Sequence, residues 1–343
     1  MSRIIQRFSI AEGPWPGVDP FLFTAHHLDA FPAADGDSMR PSSGREGRQE
    51  GMDFSGKDGW SMYHGETVPG FPQHPHRGFE TITVVEEGLV DHTDSEGAVA
   101  RYGAGDTQWL TAGRGVAHAE MFPLVHDDAP NPLHLFQIWI NLAPEDKQAD
   151  PHFAMFWAED TPVVEVQDVA GRTSRVKVVA GVYGEARPLT PPPHSWAARP
   201  EAGVAVWHAT LEPGATLTLP AATVAQVVRT IYAYDGELTV DGQTLVAEGA
   251  VVEADSPLPV TAGGDGARLL VLQGRPIGAP VVQQGPFVAN SRDELVQAFT
   301  DYRAGEFGRW TLPVDDPVQP REAGRFARYP DGTVLTPAGP TSS

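Results

Sequence analysis

Not one of the 343 residues is cysteine. Disulfides, iron–sulfur clusters, thiolate zinc sites and cysteine nucleophiles are thereby excluded, and any bound metal must be held by nitrogen and oxygen. Basic residues are scarce as well: 24 lysines and arginines stand against 45 aspartates and glutamates, a formal charge of −21. Such a surface repels polyphosphate at long range, and the nearest approach to a basic patch, Arg45-Glu-Gly-Arg48, is diluted by acid. Direct nucleic-acid binding is therefore not expected, whereas a protein partner stays open. No run approaches the roughly 20 apolar residues that cross a bilayer, and Met1–Ile10 lacks the apolar centre of a secretion signal. The expectation is a cytoplasmic protein with no membrane contact.

Turn formers are plentiful instead. With 36 glycines and 32 prolines, the chain suits many short strands joined by tight turns. Its length accommodates two domains of roughly 130 to 160 residues. β-branched runs such as Thr81–Val85, Leu135–Leu142, Arg175–Gly181 and Val204–Leu211 recur in both halves. Around residues 143–175 the pattern breaks into proline and charge, a plausible hinge. Tyr234-Asp-Gly-Glu-Leu-Thr-Val echoes Val85-Glu-Glu-Gly-Leu-Val-Asp, a weak internal duplication that suggests two copies of one barrel. The expected division is an N-terminal metal-binding barrel over 1–160, a second barrel over 161–308 without metal ligands, and a surface tail over 309–343. Residues 34–59 read as a polar, flexible insertion, more simply a surface loop than a cover. Ser291-Arg-Asp-Glu294 is a capping box, and Leu295, Phe299 and Tyr302 follow at helical spacing, so one short packing helix is expected there.

Two segments carry chemistry. His74-Pro-His76 and His118-Ala-Glu120 each place two ligand-type side chains two residues apart, the spacing that puts both on one face of a strand, about 7 Å from each other. If the two strands face one another in a barrel, three imidazoles and one carboxylate converge. That set suits a divalent first-row metal, Fe, Mn, Co, Ni, Cu or Zn, and with a six-coordinate metal it leaves two positions free for small oxygen donors. Glu80, four residues after His76, lies on the same face of one extended strand and is an equal rival for the carboxylate position. The second barrel carries Gln226 and Val228 at the comparable place and should hold no metal. The remaining histidines, among them His27, His64, His92 and His134, lack a strand partner at that spacing and read as structural or solvated. Phe71, Trp109 and Met121 are candidates for the wall of an aromatic pocket, although each also reads simply as core.

Gly70-Phe-Pro-Gln-His-Pro-His-Arg-Gly-Phe-Glu-Thr-Ile-Thr, Asp106-Thr-Gln-Trp-Leu-Thr-Ala-Gly-Arg-Gly-Val-Ala-His-Ala-Glu and Gly285-Pro-Phe-Val-Ala-Asn-Ser together resemble the pirin family of the cupin superfamily. The resemblance covers roughly residues 1–30 and 60–308. It implies an all-β bicupin, two stacked antiparallel β-barrels of jelly-roll type with a short C-terminal helix and one metal in the N-terminal barrel. It also implies His74, His76, His118 and Glu120 as the ligands, with Glu80 a neighbour, and Fe(II) as the usual metal. Two activities go with the family. One is a quercetinase, a quercetin 2,3-dioxygenase-like oxidoreductase that opens the heterocycle of a flavonol, a small aromatic substrate, with dioxygen and releases carbon monoxide. The other is regulation through protein partners in response to the metal or to its redox state. In the first, Glu120 would be both ligand and catalytic base. The insertion at 34–59 and the long tail depart from the family pattern.

Overall fold

The computed structural model describes residues 3–11 and 13–340. Strands dominate, as expected, and the one α-helix among the described residues is Arg292–Arg303. Two compact units emerge, interleaved along the chain where the sequence suggested a boundary near residue 160. One gathers residues up to Ala25, Ile138–Ala143 and Glu159–Gly278; the other takes His26–Gln137, Pro144–Ala158 and the chain from Ala279 onward.

The unit that carries the histidine pairs contains a seven-stranded antiparallel sheet. Its order is Gly339–Pro340, Val334–Thr336, Phe326–Arg328, Val99–Gly103, Leu89–Asp94, Val116–Met121 and Gly70–His76. Opposite it, His152–Phe156, Thr107–Thr111 and Phe79–Glu87 pair in succession. Side chains alternate across each strand, so Val85 and Leu110 of one sheet meet Val90, Ala100, Tyr102 and Val116 of the other in one buried cluster.

The tail lies largely exposed or half-buried and is tied to the sheet. On the outer face of the seven-stranded sheet, Arg101 and Asp91 form a fully buried ion pair at 2.7 Å. The guanidinium has donors left over, and it gives them to the carbonyls of Gln319, Pro320 and Ala323. A buried charge needs such partners, and this need draws the tail onto the sheet, where Phe326–Arg328 pairs with Val99–Gly103. The insertion is likewise built in. The Arg48 side chain is 1% exposed, pairs with Asp53 at 2.8 Å, donates to the Trp60 carbonyl and lies 3.5 Å over the Trp60 ring.

The other unit is a nine-stranded sheet in which Ile4–Ser9 pairs with Glu248–Val252. It includes Val228–Val240 as one strand, with register shifts near Asp235. Its interior is apolar, filled by Trp207, Leu217, Ile231, Leu238, Leu245 and Leu269 among others. The helix begins as its capping box dictates: Ser291 Oγ accepts from the Glu294 N–H at 3.2 Å, and Leu295 and Ala298 are buried. No helix among the described residues is long and apolar enough to cross a membrane.

Candidate metal centre

Strand register brings the two histidine segments together. Gly70–His76 runs antiparallel to Val116–Met121, with His74 opposite His118 and Phe71 opposite Glu120; a bulge at residues 72–73 restores His74 to the inner face. Directly opposed side chains stand about 5 Å apart at Cβ, close enough for three rings to share one point. The ligand atoms of His74, His76 and His118 all lie within 4.8 Å of one another, and the Nε2 atoms of His74 and His76 are 3.2 Å apart.

Glu120 stands beside this triad. Its Oε2 is 3.7 Å from His118 Nε2 and accepts from Gln137 Nε2 at 2.8 Å, while Thr83 Oγ1 lies 3.5 Å from Oε1. Glu80 is turned elsewhere. The chain bends at Gly78, whose φ of +84° only glycine adopts easily and where a Cβ would come within 2.0 Å of the Val288 carbonyl. His76 and Glu80 therefore sit on different strands of different sheets. Thr83 looks at Glu120, and Glu80, three residues earlier, occupies the opposite face, where it accepts from Thr111 Oγ1 at 2.6 Å.

The electrostatics suit a cation. Burial holds His74 down at about 4. His76 and His118 are held well below the ordinary histidine value, first by burial and then by neighbouring imidazoles. All three are thus neutral near pH 7 and offer lone pairs. Burial raises Glu120, against the pull of His92, Gln137 and Thr83. His74 Nδ1 is 2.8 Å from the Pro72 carbonyl, and the His76 ring has the Pro286 backbone as a hydrogen-bond partner. In each case an outer acceptor leaves an inner nitrogen available. The fit to a metal is shown most directly by His118: its Nε2 is fully buried and has no hydrogen-bond partner. A buried nitrogen in that state is costly, and a cation between His118, His74 and His76 satisfies it. Among the described residues this is the one group of three or more metal-ligand side chains.

The pocket candidates divide. Phe71 lies 6.2 Å from His74 between ring centroids and packs with Tyr63, Phe122 and the insertion's Phe54. Trp109 does not line the site, because it pairs with Ile82 on the face that carries Glu80 and is fully buried against Phe156. Met121 belongs to a small core with Met39 and Val68. A cavity of about 420 Å³ opens near Phe31, Leu89 and Phe122, and none of the triad lines it. Two further polar residues lie beside the triad: His92, which the sequence reading leaves without a strand partner, and Asp94, which it does not single out. His92 and Asp94, both buried, lie opposite Glu120 and His118 on the neighbouring strand. His-Thr-Asp is a third pair at strand spacing, and that signal was present in the sequence.

The pirin family model matches residues 18–140 and that of the pirin C-terminal cupin domain matches residues 206–308. A Pseudomonas aeruginosa protein provisionally named a quercetin 2,3-dioxygenase is 37% identical over 244 residues, covering 70% of this chain and 80% of its own length. A pirin-like protein of Solanum lycopersicum is 32% identical over 288 residues, covering 80% and 88%. Among solved structures, a quercetin 2,3-dioxygenase from Acinetobacter baumannii superposes with a TM-score of 0.69 over 90% of this chain and 99% of its own, at 24% identity, a likeness of fold. With the paired imidazoles, the cupin-type sheets and these relatives in agreement, the chain belongs to the pirin family and is a quercetinase-like cupin.

Proposed function

We propose that this protein is an iron-dependent dioxygenase of the quercetinase type, acting on flavonol-like substrates, with Fe(II) held by His74, His76, His118 and Glu120. The observation that supports this reading most strongly is the convergence of three neutral imidazoles beside a buried carboxylate, with one ring nitrogen left unbonded. When bound, the metal supplies Lewis acidity and redox reactivity toward dioxygen.

The protein's own groups do the rest. Glu120 is the carboxylate beside the triad and takes the proton of the substrate's 3-hydroxyl. Gln137 and Thr83 hold it in place through hydrogen bonds to its two oxygens, so that little reorientation is needed at proton transfer. Phe71, Tyr63, Phe122 and Phe54 supply flat apolar surface on the His74 side, where a planar aromatic ring can stack.

The test is anaerobic loading with Fe(II), addition of quercetin, then admission of oxygen. Loss of the flavonol absorption band with release of one carbon monoxide per substrate is the expected result. A fully loaded protein that leaves quercetin intact removes the dioxygenase reading and leaves the metal site to another role.

A further inference from the structure

We infer that Asp94 and His92 are positioning residues that set the tautomer of His118, so that a lone pair, and not an N–H, points from His118 Nε2 toward His74 and His76. The inference rests on the metal reading above and deepens it.

Asp94 sits at the end of its strand, where Oδ1 accepts two backbone N–H groups, those of Glu96 at 3.0 Å and Ala98 at 2.9 Å. These bonds lock the carboxylate and leave Oδ2 facing His92 Nε2 at 3.1 Å. An ionised carboxylate only accepts, so the His92 proton is on Nε2. With His92 neutral, its ring carries one N–H, which leaves His92 Nδ1 bare. That atom is 3.4 Å from His118 Nδ1. Both rings are wholly buried, and two bare nitrogens facing each other in the interior would leave both unsatisfied. His118 therefore donates from Nδ1, and its Nε2 keeps the lone pair. The same Nε2 is the buried atom that lacks a hydrogen-bond partner. The relay thus leaves the lone pair on the His118 nitrogen that no protein group occupies.

Asp94→Asn tests the chain of protons with almost no change of shape. The two backbone N–H groups hold the amide oxygen in the place of Oδ1, and the amide nitrogen then faces His92 Nε2. A donor there reverses each step: His92 carries its proton on Nδ1, and His118 presents an N–H to the metal position. His92→Gln is the rescue, since its amide can donate to Asp94 and accept from His118; His92→Leu can do neither.

Long-range proton–nitrogen correlation spectra of the metal-free protein read each tautomer, and cobalt(II) titration followed by visible absorption reads affinity. The expected result is a proton on Nε2 of His92 and Nδ1 of His118 in the parent, both reversed in Asp94→Asn. Cobalt binding should weaken about 10- to 100-fold in Asp94→Asn and His92→Leu, and His92→Gln should stay much closer to the parent. Opposite tautomers in the parent, or an Asp94→Asn variant that binds cobalt within about twofold of it, overturns the inference. A parent that takes up no cobalt removes the metal reading, and the spectra then decide the relay alone. Thermal unfolding of the metal-free variants identifies any that lose affinity only by losing the fold, and His92→Gln decides in that case.

Discussion

Both units have an apolar core, and one of them also turns a cluster of polar side chains inward. In the one built around Val228–Val240, inward positions are Ile231, Ala233, Leu238 and Val240, all buried in a continuous apolar cluster. In the other, neighbouring strands turn His74, His76, His92, Asp94, His118 and Glu120 to the inside. Burying an aliphatic side chain contributes roughly 1.5–3 kcal/mol. Burying a polar one costs free energy unless every donor and acceptor finds a partner. The apolar clusters stabilise both units, and the polar cluster of the second is held by its own hydrogen bonds, with His118 Nε2 left without one.

The largest expected effect breaks the polar side of this contrast. Replacing His74 and His76 together by alanine should abolish cobalt uptake, a loss of about 1,000-fold or more in affinity, read by elemental analysis after dialysis, while the metal-free fold persists. Ile231→Ala should do the reverse. It should cost about 2–5 kcal/mol of stability in denaturant titration and leave cobalt affinity unchanged; a fall in affinity would mean that the two interiors are not separable in this way.

A third expectation concerns pH. Burial raises the Asp29 carboxyl to about 6, against hydrogen bonds from Tyr63 and Ser61. The folded state then holds a proton that the unfolded chain has released, between the ordinary carboxylate value and about 6. Stability from this group is present below that window and lost as pH rises through it. Across pH 4 to 6 the loss should reach at most about 3 kcal/mol, and Asp29→Asn should flatten it; an unchanged pH profile in that variant would assign the slope to other groups. The smallest effect sharpens the role of Glu120. Gln137→Leu removes its 2.8 Å hydrogen bond and should lower flavonol turnover about tenfold, with KM little changed. A change in KM alone would move Gln137 to substrate binding.

Much of this was legible in the residues. Period-two spacing marks His74 with His76 and His118 with Glu120 as face-sharing pairs, because a strand alternates its side chains whatever surrounds it. The same rule applied to His92 and Asp94 points to them too, though a His-x-Asp pair stands out only once its strand is known to lie beside Val116–Met121. The tail could not be read in this way. Its pairing depends on Arg101, which is distant in sequence and whose spare donors need the carbonyls of Gln319 to Ala323.

By itself the sequence determined the all-β character and the strand-spaced pairs of ligand-type side chains, since these follow from local periodicity and composition. Spacing alone left the carboxylate open; the family resemblance implied Glu120, and the tertiary structure gives the physical reason that Glu120 stands beside the imidazoles. Glu80 and Glu120 are equivalent by spacing along an extended strand, and the bend at Gly78 sends Glu80 to another sheet and another face. Proximity between residues on different strands is a property of register and of bends, and neither is encoded within any single stretch of chain.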